Sequence, residues 1–97
     1  MDYWVVVFED TPGMLAHRKE YGADHIAYLK KNREQILVGG GLRASPDAPF
    51  LGGLWIVSAA TYEEVTDLVT SDPYFNPDHR RFKIFAWGKA LPDLVQI

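Results

Sequence analysis

The chain has no cysteine. Disulfide stapling, a thiolate nucleophile and any cysteine-ligated zinc or iron–sulfur centre are therefore excluded. It also lacks a strong excess of either charge, since 10 Lys and Arg stand against 13 Asp and Glu for a formal net charge of -3. That balance does not draw the chain as a whole to nucleic acid or to an anionic lipid surface. No stretch reaches the roughly 18 consecutive apolar residues that a spanning helix requires. The opening Met1-Asp2-Tyr3-Trp4 passes into a strand-like run without the basic and apolar regions of a secretory signal. Neither a nucleic-acid nor a membrane partner is expected, and cytoplasm is the default location. Internal repeats and low-complexity linkers are also missing.

What is present is a core. Of the 97 residues 47% are apolar, with five Phe, five Tyr and three Trp. This argues against disorder and for one domain over residues 1–97. A chain of this length buries only roughly 60–65% of its unfolded surface, so self-association would add useful burial.

Residues 3 to 9 are rich in β-branched and aromatic side chains and end at the turn-forming Asp10-Thr11-Pro12-Gly13. Both alternating sets, Trp4/Val6/Phe8 and Tyr3/Val5/Val7, are apolar or amphipathic, so neither face of this strand is built for water. Helical character follows from Met14 to Arg33. Gly22 is expected to break or bend it, because glycine costs about 1 kcal/mol relative to alanine inside a helix. The longer piece then begins near Ala23 or Asp24, with Asp24 in its first turn and Ile26 and Leu29 on its apolar stripe.

Residues 36 to 42 read as a short strand ending in glycines, Arg43 to Gly52 as an exposed connection, and Leu54 to Ala59 as a strand antiparallel to it. Thr61-Tyr62-Glu63-Glu64 has the pattern of a capping box, Val65, Leu68 and Val69 recur at helical spacing, and Ser71-Asp72-Pro73 stops the helix. Residues 81 to 88 form the last strand, with Phe82 and Ile84 toward the core. Leu91 to Ile97 is a tail whose Leu91, Leu94 and Val95 could pack on a partner or on the sheet.

The order β-α-β-β-α-β predicts an α+β, ferredoxin-like domain: a four-stranded antiparallel sheet with two helices on one face. The other face is apolar and needs cover, so a homodimer paired through the sheet is expected.

Among the polar residues, His25 is a candidate acid–base group. Near a helix start, the free N–H groups would favour a neutral imidazole. If the helices pack side by side, Asp72 at the end of the second would fall at the same edge as His25. It could then fix the imidazole tautomer while His25 transfers the proton. A structural histidine and a helix-ending aspartate remain the alternatives. Arg18 could orient an oxyanion, or be a solvated helix residue. Tyr28 and Tyr74 could hydrogen-bond a small-molecule ligand or close the domain edge, and the glycines around Gly40 could give a pocket access to backbone.

Other constellations fall away. His17, His25 and His79 do not have HExxH spacing, so no metal is expected. Gly39-Gly40-Gly41 is not followed by the Lys-Ser/Thr of a phosphate-binding loop, and no cofactor is implied. Ser58 and Ser71 lack a hydrolase context, and Lys30, Lys31 and Arg33 read as a solvated face.

Taken together, the run Val5 to Gly13, Arg18 with His25, the glycines around Gly40 and Asp72-Pro73-Tyr74 resemble the YCII-related domain family over roughly residues 3 to 88. The resemblance implies a ferredoxin-like subunit that pairs through its sheet and has a pocket beside a histidine and an aspartate. His25 and Asp72 match those positions, and Arg18 matches a nearby arginine. At least one relative is a dehydrochlorinase of a chlorinated hydroxyhydroquinone in which such a pair is implicated. Many members carry an arginine three residues before the histidine and a proline beside it, where this chain has Gly22-Ala23-Asp24; the usual Gly-Pro after the second strand is here Gly40-Gly41. Two uses fit: a small cofactor-independent enzyme of lyase or isomerase type acting on a small polar or aromatic metabolite, or a noncatalytic metabolite-binding or interaction module on a dimeric scaffold.

Overall fold

Side chains that are stiff at χ1 fit a pleated, half-buried surface, and the run from Tyr3 to Phe8 forms the first strand, β1 (Asp2–Asp10). In the computed structural model, which describes residues 1–92, five further elements follow. They are α1 (Met14–Lys31), β2 (Ile36–Arg43), β3 (Phe50–Ala59), α2 (Tyr62–Ser71) and β4 (Arg80–Trp87). The strands form one antiparallel sheet in the order β2-β3-β1-β4, the ferredoxin-like arrangement.

Register sorts the side chains into two faces. Val6 lies opposite Trp55 and Ile84, and Phe8 opposite Gly53 and Phe82. On that face Val6, Phe8, Ile36, Trp55, Val57 and Ala59 form one core cluster with Val65, Leu68 and Val69 of α2. Tyr28 and Leu29 of α1 pack against it, as do Phe82 and Ile84. Both helices thus cover the same face. Val6, Val57 and Val65 are completely buried, each contributing on the order of 1.5–3 kcal/mol. The Phe8 and Trp55 rings meet edge to face, 5.0 Å between centroids.

Among the described residues no helix covers the other face. Val5 lies opposite Ile56 and Phe85, Val7 opposite Leu54 and Lys83, and Tyr3 opposite Trp87.

Helix α2 begins as its sequence implies: the Thr61 hydroxyl accepts from the Glu64 N–H at 3.2 Å. The returning Glu64 carboxylate accepts from the N–H of Ala60, 3.0 Å away, one residue earlier than the usual pattern. Helix α1 departs from expectation. It is continuous through Gly22, so neither a break nor a second start at Ala23 or Asp24 exists. Tertiary packing overrides the propensity: Gly22 faces the Tyr74 hydroxyl, which would lie 3.5 Å from an added Cβ. Asp24 is consequently an exposed mid-helix residue. His25 is far from the free N–H groups at Met14, so the helix-start argument for a neutral imidazole does not apply to it.

The connection expected from Arg43 to Gly52 is shorter, because β2 extends to Arg43 and β3 begins at Phe50. Gly52 makes the extension possible, since a Cβ there would run into the Phe8 carbonyl. Of the tail, Leu91 is exposed, whereas Leu94 and Val95 lie outside the described residues. Among the described residues no helix is long and apolar enough to cross a membrane.

Candidate active site

The site lies where the middle of α1 meets the segment that leaves α2. Asp72 follows the last helical residue with an extended backbone, φ −68° and ψ 134°, as the residue before a proline prefers. This turns its carboxylate back beneath α1. The His25 Nδ1 lies 2.7 Å from Asp72 Oδ1, with side-chain exposures of 12% and 2%. The same oxygen accepts the Tyr74 N–H at 3.1 Å. The Tyr74 ring stacks on the imidazole, 3.7 Å between centroids and 6° from parallel.

This geometry selects a tautomer. An ionised carboxylate only accepts, so a neutral His25 carries its proton on Nδ1. Nε2 is left with the lone pair.

A second charged cluster adjoins it. The fully buried Asp10 side chain lies at the end of β1, directly opposite Arg80 at the start of β4. Asp10 Oδ1 accepts from Arg80 Nε at 2.8 Å, and Oδ2 accepts from Arg18 at 3.1 Å, the two arginine side chains being 6% and 13% exposed. Arg18 also donates to the Gly52 carbonyl at 2.7 Å, while its Nε is buried with no hydrogen-bond partner among the described residues. The Arg18 guanidinium lies over Phe50, and that of Arg80 over Phe8. Burial pushes the Arg80 pKa down, and the hydrogen bond and charge of Asp10 oppose that shift. Two cations on one carboxylate leave the cluster with a net positive charge.

Both groups open onto one cavity of about 220 Å³, lined by Arg18, His25, Tyr74 and Arg80, by Phe8, Phe50 and Trp55, and by Gly39 to Gly41. A Cβ on Gly39 would press on the Trp55 ring, and one on Gly41 would enter the Phe50 ring. These missing side chains make the room. Gly40 contributes differently: it pairs with Leu54 on the helix-free face, and a Cβ there would meet nothing. Its part in the lining is backbone alone.

Of the residues singled out in the sequence, Arg18, His25, Asp72 and Tyr74 come together, with Gly40 at the rim. Tyr28 does not join them. Its hydroxyl donates to the Leu68 carbonyl at 2.7 Å, and it borders a separate depression with Asn32 and Gln35. Burial, and then the negative charge of Asp72, push its pKa up to about 12. Its placement provides an inter-helix bond, not a cavity-facing hydroxyl.

Asp10 and Arg80 were not anticipated. The signal was available: antiparallel pairing of the first and last strands brings the end of one beside the start of the other. In Arg80-Arg81 alternation then sends one arginine inward.

Comparison with known proteins bears on the family and the fold. The family model for the YCII-related domain matches residues 2–88. Aspercryptin biosynthesis cluster protein B of Emericella nidulans (strain FGSC A4) is 28% identical over 79 residues, which is 73% of this chain and 51% of that protein. The chain thus spans about half the length of this curated relative. Among solved structures, the 5-chloro-2-hydroxyhydroquinone dehydrochlorinase TftG of Burkholderia phenoliruptrix AC1100, in complex with 2,5-dihydroxybenzoquinone, superposes with a TM-score of 0.77. The two are 25% identical, and the match covers 89% of this chain and 93% of that one.

Proposed function

This chain belongs to the YCII-related domain family, and from that premise we propose that it is a small enzyme of lyase or isomerase type. It transfers a proton on a small planar anion without a cofactor. The observation that carries the reading is the 2.7 Å contact of His25 Nδ1 with Asp72, which leaves Nε2 as the nitrogen available to the cavity. Nε2 removes the substrate proton as general base. Asp72 holds the ring and stabilises the imidazolium that forms. The proton can then be returned elsewhere on the substrate, or an anionic leaving group can depart.

Substrate chemistry follows from the walls. Aromatic faces of Phe8, Phe50, Trp55 and Tyr74 suit a flat ring, and the Arg18–Asp10–Arg80 cluster suits an oxyanion on it. A volume of about 220 Å³ is below the roughly 300–1,000 Å³ of sites for drug-sized ligands, so the ring is single and lightly substituted. A hydroxylated quinone or chlorinated hydroquinone, of the kind named for the Burkholderia enzyme, has this chemistry.

The helix-free face supports a second part of the proposal, a homodimer paired through the sheet. Val5, Val7, Leu54, Ile56, Phe85 and Trp87 share that face, and a two-fold axis lets such a patch cover itself. Phe85→Glu should convert a dimer to a monomer in light scattering. An unchanged mass for the folded variant, or a monomeric parent protein, rejects the pairing.

The enzymatic reading is tested by incubating the protein with 5-chloro-2-hydroxyhydroquinone and a panel of hydroxylated aromatics under mass-resolved detection, beside His25→Asn. Turnover by the parent protein and its loss in the variant are expected. Equal turnover in a folded His25→Asn removes the base from His25. Saturable binding with no turnover across the panel favours a ligand-binding module instead.

A further inference from the structure

One residue outside the cavity is built into the site from behind. His17, Tyr21 and His25 are spaced four apart on α1, so they form one stripe on the helix. His25 ends that stripe on Asp72, and His17 meets the same segment a few residues on. The His17 Nε2 lies 2.8 Å from the Pro73 carbonyl oxygen, and its Nδ1 lies 3.2 Å from the Asn76 side-chain nitrogen. The ring also packs on Tyr21, with centroids 4.5 Å apart, and against the edge of Tyr74.

The partners select the tautomer of the neutral ring. A carbonyl oxygen only accepts, so Nε2 carries the hydrogen and donates to Pro73. The Asn76 side-chain oxygen already accepts the Asp78 N–H at 3.1 Å, so its amide nitrogen is the end turned to His17. Nδ1 is therefore the acceptor. One neutral histidine satisfies both ends of the segment from Pro73 to Asn76 and fastens it to α1.

Apart from the Tyr74 ring, which stacks on His25 and lies under the Arg18 guanidinium of α1, the hydrogen bonds of that segment run mainly within its own turns. Phe75 N–H donates to the Asp72 carbonyl, Tyr74 N–H to the Asp72 carboxylate, and Arg80 N–H to the Asn76 carbonyl. None of these fixes the distance between the segment and the helix that carries His25. The Tyr74 hydroxyl does reach the Arg18 carbonyl, but at 3.5 Å.

We infer that His17 is a positioning residue for the His25–Asp72 pair: by clamping the Pro73 carbonyl and Asn76 to α1, it holds Asp72 and the stacking Tyr74 ring in register with the His25 imidazole. The inference rests on the reading of His25 and Asp72 as the working pair. It needs no substrate to test.

The conservative replacements separate the two bonds. In His17→Gln the amide nitrogen takes the place of Nε2 and can still donate to Pro73. In His17→Asn the shorter side chain keeps a polar group near Asn76 and cannot reach Pro73. His17→Leu removes both bonds and keeps bulk. The readout is the His25 Nδ1–H resonance in protein labelled with 15N-histidine, with tryptophan fluorescence reporting the core around Trp55. The Leu and Asn variants should lose the His25 Nδ1–H signal to solvent exchange with the core intact, and Gln should restore it. Retention of that signal in folded Leu or Asn variants overturns the inference, as does a Gln variant that loses it as fully as Asn. Should the Leu variant not fold, the Gln and Asn pair decides. Failure of turnover in the parent protein would count against the enzymatic proposal and leave this result standing.

Discussion

Replacing Asp10 with Asn tests how the buried charges are held together. The carboxylate has no solvent exposure and joins two arginine side chains that are 6% and 13% exposed. The amide has nearly the same shape, so its cost reports charge and hydrogen bonding more than packing. Breaking a buried ion pair from one side costs about 3–5 kcal/mol, because the remaining charge stays buried without compensation. For a domain of this size each kcal/mol shifts Tm by about 4–8 °C, so a fall of roughly 12–40 °C is expected. That is a large part of the roughly 5–15 kcal/mol a native domain has in hand. Urea unfolding of both proteins in 0.1 M and 1 M salt measures it. Screening shortens from about 10 Å to about 3 Å between those conditions, yet the gap between the two proteins should persist, since the Asp10 carboxylate that joins the two arginines has no solvent exposure. Glu9→Gln, one residue earlier and exposed, should stay within about 0.5 kcal/mol of the parent. An Asp10→Asn protein within about 1 kcal/mol of the parent, or a gap that vanishes in 1 M salt, would mean that these are surface ion pairs.

Gly22→Ala should raise stability by about 0.5–1 kcal/mol, read as a higher Tm, because the position is helical and an added methyl meets Tyr74 at an ordinary contact distance. A lower Tm would show that Tyr74 needs the gap. Tyr28 titrates at about 12 in the fold against about 10 unfolded. The fold therefore prefers its neutral form, and the stability so contributed is complete below pH 10 and lost as pH rises through about 12. The difference in stability between the parent and Tyr28→Phe should accordingly shrink across that window; a constant difference rejects the assignment. Thr61→Ala should cost about 1 kcal/mol in thermal unfolding by removing the cap on α2, and no loss would place the cap outside the folding energetics.

Architecture was legible in the sequence wherever local chemistry and tertiary packing agree. The β-branched run in β1, the alternation of Phe82 and Ile84, and the Thr61 cap each carry their own cause, and each stands in the structure. Gly22 misled because its propensity cost is local, whereas the contacts that hold α1 in place, such as those of His17 with Pro73 and His25 with Asp72, come from about fifty residues away. Gly52 misled for the related reason that a chain with no side chain to pack reads as loop, although the close approach of Phe8 is what makes a glycine necessary there. At the site, the meeting of His25 with Asp72 could be anticipated from side-by-side packing of the helices. Tyr28 could not be placed, because its exact azimuth on α1 decides between the cavity and the Leu68 carbonyl. Asp10 read as turn chemistry and Arg80 was hidden at a strand boundary, since neither has a local motif. Only the pairing of β1 with β4 turns them into partners.

The tautomer of His25 tests the central claim most directly. Long-range 15N–1H correlation spectra of histidine-labelled protein, recorded where the imidazole is neutral, distinguish the nitrogen that carries the proton. The account predicts a proton on Nδ1, directed at Asp72, and a bare Nε2, with Asp72→Asn shifting the population toward the other tautomer. A neutral His25 protonated on Nε2 in the parent protein would contradict it, because the nitrogen available to the cavity would then have no lone pair with which to take a proton.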